Sequence, residues 1–285
     1  MSAIHPRISV NSLCFAGAEI PEILESWRNL SPTIVSLRSN LLTDKLSPRL
    51  IENIRENHFR VETISHAFIS DAAVTQRELW PAARADLNRL IRSAEAIGAR
   101  SVYMLTGGHG NEAWEDAAQA FSEAISPCVS QAREAGILLL IEPAPIFYAD
   151  SHLAHSLRDT VLLAEMADLG VCIDVFPVWA EAGLKETIQR AMPRCHLVQL
   201  SDYVPGDRAM PCRAVPGTGA IPLERLMGWL NAAGYQGNFD LELIGPRIDA
   251  FGHVDAVRAT AQVVGAMIDA QDVSAPSRFC DRLEQ

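Results

Sequence analysis

Four oxygen-bearing side chains stand at or next to the ends of short apolar segments in the second half of the chain: Glu142, Asp174, Gln199 and Glu242. A carboxylate in an apolar setting is costly to bury unless it is paired or binds a cation. Three carboxylates brought together would also raise one another's pKa values, and a divalent cation would remove that repulsion. Oxygen ligands of this kind favour Mg²⁺ or Mn²⁺, with Co²⁺ or Zn²⁺ as less selective alternatives.

Each of these residues also has an ordinary structural interpretation. One acidic residue at a strand end is often a helix cap or a solvated loop residue, and Gln199 alone could be a structural hydrogen-bonding group. That interpretation is harder to sustain when four consecutive predicted strands carry such a residue. The pattern therefore favours one shared metal site.

Eight short apolar segments alternate with helical patterns along the 285 residues. The predicted strands are 8–15, 33–37, 60–67, 101–105, 137–141, 170–173, 196–200 and 239–243. The predicted helices are 21–30, 50–56, 82–97, 114–135, 157–166, 184–191, 223–233 and 254–268, and the fourth should be interrupted near Pro127. Strands that alternate with helices pair in parallel through right-handed crossovers. Eight such units predict an α/β fold, a closed (β/α)₈ TIM barrel.

The chain shows no linker that would divide it, so we predict one barrel domain over residues 1–272 and a C-terminal tail over 273–285. An open doubly wound sheet is the alternative fold. It would more often carry a glycine-rich turn after the first strand, where this chain has only Gly17. Barrel enzymes place their active sites at the carboxyl ends of the strands, which is where the four residues are expected to meet.

Composition restricts the partners. A net charge of −11 disfavours nucleic acid, which is bound through basic surfaces. No apolar run approaches the roughly 20 residues of a membrane span, and the N-terminus lacks a signal-like segment. The six cysteines form no CxxC pair, and several lie in apolar runs, as buried free thiols do in a reducing compartment. We therefore predict a cytoplasmic protein with no nucleic-acid or membrane partner.

Further candidates lie at the predicted tips of the earlier strands. His66 ends the third strand and His109 follows the fourth, so both should face the barrel mouth, where an imidazole could act as a general acid or base. His66 could equally be a hydrogen-bonded core residue. His109 lies between two glycines and could instead be a mobile loop residue, and it is also a candidate for substrate contact. Arg38, at the second strand tip, could bind an anionic substrate group or pair with an acidic helix cap. His152 and His155 are interpreted as surface residues.

Several short motifs carry a family resemblance. Glu142 is followed by proline, Asp174 ends the segment VCID, Gln199 lies in LVQLSD, Arg213 precedes PGTG, and Glu242 lies in FDLEL. Their order resembles the xylose isomerase-like TIM barrel superfamily, which includes sugar phosphate isomerases and epimerases, ketose 3-epimerases, and inosose and 3-dehydroshikimate dehydratases. The resemblance implies that the two glutamates, the aspartate and the glutamine are metal ligands. It also implies that Arg213 contacts a substrate oxygen.

Two positions depart from many members of that superfamily. Pro177 stands where many relatives have a histidine three residues after the aspartate ligand, and Gln199 stands where many sugar epimerases have a histidine ligand. A glutamine there is similar to the dehydratase-type members. The ligand set also differs from the histidine-rich zinc cluster of the endonuclease IV branch.

The expected activity is that of a divalent-metal-dependent isomerase or epimerase acting on a small sugar-like hydroxy-carbonyl compound through a metal-stabilised enolate. The resemblance implies that Glu142 and Glu242 serve in turn as ligand and proton carrier. A dehydratase or lyase of the 3-dehydroshikimate or inosose type is the alternative, because loss of a β-hydroxyl proceeds from the same enolate. A non-catalytic ligand-binding barrel is a third interpretation. Barrels of this family often pair, so a homodimer or tetramer is an open expectation.

Overall fold

A computed structural model of the protein describes residues 3–42 and 47–274. Its strands are β1 (Ile8–Asn11), β2 (Ile34–Arg38), β3 (Arg60–Ala67), β4 (Ser101–Leu105), β5 (Leu138–Ile141), β6 (Gly170–Asp174), β7 (Cys195–Leu200), β8 (Asp202–Tyr203), β9 (Arg213–Ala214) and β10 (Phe239–Leu241). Eight of them form a closed barrel in the order β1-β10-β7-β6-β5-β4-β3-β2, and β8 and β9 form a separate two-stranded sheet. All barrel pairs are parallel, which confirms the predicted single TIM-barrel domain.

Helices follow the barrel strands and surround them. They are α1 (Ile20–Leu30), α2 (Ser47–Glu56), α3 (Trp80–Ile97), α4 (Trp114–Glu134), α5 (Leu157–Ala167), α6 (Val175–Val178), α7 (Leu184–Ala191), α8 (Leu223–Ala232), α9 (Pro246–Phe251) and α10 (His253–Ser274). The sequence patterns did not predict the short helices α6 and α9, which lie beyond the carboxyl ends of β6 and β10.

The hydrophobic core has two parts. The larger part joins the outward faces of the strands to the helices and includes Ile64 of β3 and Leu87 of α3. A smaller cluster consists of Tyr103, Leu140, Cys172 and Leu197. Side chains alternate along a strand, so Leu140 and Cys172 share a face with the residues two positions further on, Glu142 and Asp174. The smaller cluster therefore forms an apolar floor beneath these acidic groups.

The first strand is shorter than predicted. β1 ends at Asn11, and a 3₁₀ helix covers Ser12–Phe15. The side-chain oxygen of Asn11 accepts a hydrogen bond from the backbone N–H of Leu13 at 3.0 Å, which turns the chain at that point. The prediction of an extended strand through Phe15 was wrong for this local reason.

The predicted interruption near Pro127 was also wrong, because α4 is continuous through it. A proline inside a helix leaves the carbonyl four residues earlier without its N–H partner. Here that carbonyl belongs to Glu123, and Arg84 of α3 donates to it at 3.0 Å and to the carbonyl of Ala124 at 2.7 Å. A neighbouring helix thus supplies the missing donor.

The last helix is longer than its sequence pattern indicated. α10 extends to Ser274, so the first two residues of the predicted tail belong to the helix. The rest of that tail, residues 275–285, lies outside the described residues. Within the described part of the chain, none of the helices is both long enough and apolar enough to cross a membrane.

Candidate active site

Three carboxylates meet at the carboxyl ends of the barrel strands. Glu142 directly follows β5, Asp174 is the last residue of β6, and Glu242 directly follows β10. One oxygen of each lies within 4.8 Å of the others. Asp174 and Glu242 are buried, whereas Glu142 is partly exposed. The tertiary structure therefore brings together the three acidic residues that the sequence suggested.

Arg213 of β9 holds two of these carboxylates. Its guanidinium donates to Asp174 at 2.6 and 3.1 Å and lies 2.8 Å from Oε1 of Glu242. A further bond reaches Oγ of Ser201 at 3.1 Å, and the ring of Phe176 lies 4.7 Å below the guanidinium carbon. Such charge-assisted, partly bidentate contacts fix the geometry of the carboxylates. Arg213 thus belongs to the acidic site itself.

The electrostatics of the group favour additional positive charge. Although Glu142 is partly exposed as a residue, its carboxyl group is desolvated, and this loss of hydration, followed by the charges of Glu242 and Asp174, raises its pKa well above the usual value. Burial likewise raises the pKa of Glu242 to about 7, although the Arg213 guanidinium opposes the shift. One guanidinium facing three carboxylates leaves an excess of negative charge. A divalent cation among oxygen donors of this kind would offset that excess, so the residues fit such an ion.

Gln199 also reaches the acidic group, through its amide nitrogen. Nε2 donates to Oε2 of Glu242, and Oε1 accepts from the thiol of Cys172 at 3.0 Å. A metal ligand would have to present the oxygen, which requires the amide to turn about its last torsion. The structure thus places Gln199 beside the carboxylates, and its role as a metal ligand stays a prediction.

A cavity of about 210 Å³ opens beside the acidic group. It is lined by Leu105, Glu142, Pro143, Ala144, Pro145, Tyr148, Asp174, Phe176, Met210, Pro211, Arg213, Glu242 and Ile244. The loops after β5 and β6 and the segment before β9 supply most of its wall. The three carboxylates and the arginine form its polar end.

His152 and His155, interpreted from the sequence as surface residues, instead fix the loop after β5. His152 is fully buried, and burial lowers its pKa to about 3, so the imidazole is neutral. Nδ1 accepts from the backbone N–H of Thr106 at 3.2 Å, so the proton lies on Nε2, which donates to the carbonyl of Glu142 at 2.7 Å. His155 Nδ1 lies 3.0 Å from the carbonyl of Ala144. No periodic pattern in the sequence indicates these contacts, because both histidines lie in an irregular loop.

The substitution His152→Ala should therefore displace Glu142. Loss of the imidazole leaves a buried N–H and a buried C=O unpaired, at a cost of about 1–3 kcal/mol each. We expect kcat for the activity proposed below to fall by about 10-fold or more, since a misplaced catalytic group reacts slowly. Proton-exchange kinetics and thermal melts would measure the two effects. His253→Ala, on the surface of α10, is the control. An unchanged kcat in His152→Ala would exclude the positioning role.

His66 does not face the barrel mouth, contrary to prediction. It lines a separate cavity with Asp86 and Arg89 of α3, and its Nδ1 lies 3.4 Å from Oγ of Ser39. Alternation along β3 places His66 on the same face as Ile64, which packs into the core beneath the helices. Burial lowers the pKa of His66. The structure therefore separates this imidazole from the carboxylates.

The two other residues suggested for substrate contact are outside the set that lines the acidic cavity. His109 lies in the loop after β4, with Nδ1 3.2 Å from the carbonyl of Glu112. Arg38 ends β2, where its backbone N–H donates to Oγ of Ser12 at 3.0 Å and its Nε is buried without a hydrogen-bond partner. Substrate contact by these two residues stays a prediction.

The loop that carries Arg213 is anchored by Asp202. Its two carboxylate oxygens accept four backbone N–H groups at 2.8–3.0 Å, from Tyr203, Gly217, Gly219 and Ile221. A side chain at Gly219 would collide with the Asp202 carboxylate, so the glycine permits the close approach. Asp202 therefore fixes the backbone between Tyr203 and Ile221, the segment that carries Arg213.

The fold and the site together define a TIM barrel with an acidic centre at the carboxyl ends of its strands. Residues 18–266 match the family model described as "Xylose isomerase-like TIM barrel". The chain therefore belongs to that family, as the motifs in its second half suggested. No curated protein sequence matches it.

Solved structures share this fold at low sequence identity. L-ribulose 3-epimerase is 17% identical, with a TM-score of 0.78 over 95% of this chain and 99% of that chain. The IOLI protein with a bound zinc atom is 14% identical, with a TM-score of 0.77 over 93% of this chain and 98% of that chain. A xylose isomerase-like TIM barrel protein from Mycobacterium smegmatis in complex with magnesium is 16% identical. Its TM-score is 0.69 over 95% of this chain and 99% of that chain. At these identities the likeness establishes the fold alone.

Proposed function

We propose that this chain is a divalent-metal-dependent isomerase or epimerase that acts on a hydroxy-carbonyl compound. The observation that carries the proposal is the close grouping of Glu142, Asp174 and Glu242 beside a cavity, with two of the three carboxyl groups raised in pKa. Structural relatives that contain zinc or magnesium, and an epimerase among them, support this assignment.

The three carboxylates would hold the ion, and Gln199 would join them if its amide oxygen turned inward. A bound divalent ion would polarise the substrate carbonyl and stabilise the negative charge of the enolate. Arg213 would keep Asp174 and Glu242 in place through its charge-assisted bonds. The buried cluster of Tyr103, Leu140, Cys172 and Leu197 lies beneath the group, and the Cys172 thiol donates to Oε1 of Gln199.

Glu142 and Glu242 are the groups best suited to move a proton. Both line the cavity, and burial raises the pKa of each above its usual value, so either carboxyl group can carry a proton. One glutamate would remove the proton next to the carbonyl. Return of a proton to the opposite face gives epimerisation, and return to the neighbouring carbon gives isomerisation.

Dehydration is the second candidate, and Gln199 is the observation that favours it. The family resemblance associates glutamine at this position with dehydratase-type members. A glutamic acid with a raised pKa can also protonate a departing β-hydroxyl group, so the same residues would serve elimination. The two reactions differ in whether the product has lost water.

Proton exchange in D₂O would test both candidates. We would incubate the protein with Mg²⁺ or Mn²⁺ and a panel of ketoses, inososes and 3-dehydroshikimate, and follow deuterium uptake by mass spectrometry. Exchange without loss of water supports an isomerase or epimerase, and exchange with loss of water supports a dehydratase. Absence of both exchange and metal binding would contradict the proposal.

Gln199 offers a separate test of the ligand set. If its amide oxygen is a ligand, Gln199→Ala should weaken metal binding about 10-fold or more, because one donor is lost. Gln199→His should retain metal binding, since imidazole is also a ligand for divalent ions. Calorimetric titration with Mn²⁺ would measure both. Wild-type affinity in Gln199→Ala would remove this residue from the ligand set.

A further inference from the structure

We propose that the substrate is a short hydroxy-carbonyl compound whose substituent beyond the reacting carbons is apolar, rather than a polyhydroxylated sugar. This inference rests on the proposed function, because it concerns the compound that the acidic site converts. It follows from the distribution of polar and apolar groups around the cavity.

The polar side chains of the cavity are concentrated at one end. Glu142, Asp174, Glu242 and Arg213 form that end, where the reacting oxygens would bind. The remaining wall is formed largely by apolar side chains, which include Leu105, Ala144, Phe176, Met210 and Ile244. Of the described residues that line the cavity, only Tyr148 adds a hydroxyl group. A sugar with three or four further hydroxyl groups would find few partners here.

The backbone of the wall supplies few hydrogen-bond donors either. Three of the lining residues, Pro143, Pro145 and Pro211, have no N–H. A sugar hydroxyl placed against these prolines would find no N–H donor, so its oxygen would lose the hydrogen bonds that it accepts from water without a replacement. An alkyl or aryl group would instead be removed favourably from water at the same surface.

Other backbone groups in the wall are already paired within the protein. The N–H of Ala144 donates to the carbonyl of Ala154 at 3.0 Å, and its own carbonyl contacts His155 Nδ1. The N–H of Phe176 donates to Oδ1 of Asp174 at 3.1 Å. These backbone groups are therefore not available to the hydroxyl groups of a sugar.

The apolar wall continues outward along the same loop. Ile146 and Phe147 lie between the lining residues Pro145 and Tyr148, and their exposed fractions are 64% and 74%. Large apolar side chains are costly to expose, and they mark contact surfaces when they border a cavity. A substituent that extends beyond the cavity would meet these two side chains.

The test compares two six-carbon compounds, 1-hydroxyhexan-2-one and a 2-ketohexose, with the Mn²⁺-loaded protein in D₂O. Both present the same hydroxy-ketone group, so exchange of the proton next to the carbonyl can be measured for each. We expect kcat/KM to be at least about 10-fold higher for the alkyl compound, which is the discrimination one or two apolar contacts provide. Equal or faster exchange of the ketohexose would overturn this inference and leave the proposed function standing. Absence of exchange with both compounds in the metal-loaded protein would overturn both this inference and the proposed function.

A variant of the wall provides an independent readout. Met210→Gln keeps the length of the side chain and adds an amide to the apolar wall. We expect the ratio of kcat/KM between the alkyl compound and the ketohexose to fall by about 10-fold. Met166→Gln, on the exposed surface of α5, is the matched control and should leave the ratio unchanged. An unchanged ratio in Met210→Gln, with a wild-type melting temperature, would contradict the proposed contact.

Discussion

Replacement of Glu242 by glutamine is expected to reduce turnover by about 10²–10⁴-fold, which is the usual contribution of a general acid or base. The variant keeps the size of the side chain and can still accept a hydrogen bond from Arg213, so the barrel should remain folded. It loses the negative charge and the ability to bind and release a proton. Glu142→Gln should have an effect of similar size for the same reason.

The measurements are deuterium exchange and calorimetric titration with Mn²⁺ for each variant. A proton carrier that is also a ligand should lose both turnover and metal affinity, whereas a proton carrier alone should lose only turnover. Glu165→Gln is the control, because this glutamate forms a surface pair with Arg190 that contributes little to stability. Wild-type turnover in both active-site variants would refute the mechanism.

Replacement of Asp202 by alanine should cause the largest loss of stability. The residue is 1% exposed, and its carboxylate accepts four backbone N–H groups from the segment that leads to α8. Hydrogen bonds to a charged group contribute about 1.5–3 kcal/mol each, and the effects of neighbouring bonds are not additive. We expect the free energy of unfolding to fall by about 3–5 kcal/mol, as it does when a buried charged partner is removed.

Urea denaturation would measure this loss. Asp255→Ala on α10 is the matched control, because its ion pair with Arg258 is exposed and should contribute less than about 1 kcal/mol. Asp202→Ala should also lower turnover under conditions in which it remains folded, since the anchored loop carries Arg213. Equal stability of the two variants would show that Asp202 does not anchor the loop.

Several elements of the barrel were predictable because their sequence patterns are local. The bounds predicted for the third and fourth strands and for the helix at 184–191 agree with β3, β4 and α7. Each has a clear local pattern, either a compact apolar segment or a helical period, and such patterns depend on neighbours in sequence. The apolar segments of the fifth and sixth predicted strands likewise placed Glu142 and Asp174 at strand ends.

Contacts between distant segments were not predictable in the same way. Arg84 satisfies the carbonyl that Pro127 leaves unpaired, and the two residues belong to different helices. His152 is buried because the loop after β5 folds back onto the backbone of Glu142 and Thr106. Local sequence carries no record of such bonds, because their partners are set by how the elements pack.

The sequence by itself determined the barrel, its order of strands and helices, and the acidic residues at the carboxyl ends of β5, β6 and β10. These follow from hydrophobic periodicity and from the parallel pairing that alternation of strands and helices requires. Only the tertiary structure decided that His66 faces α3, that Gln199 presents its amide nitrogen to Glu242, and that Asp202 anchors the loop of Arg213. The physical reason is that the direction and partners of a polar side chain depend on which distant groups surround it, and these are fixed only when the chain is packed.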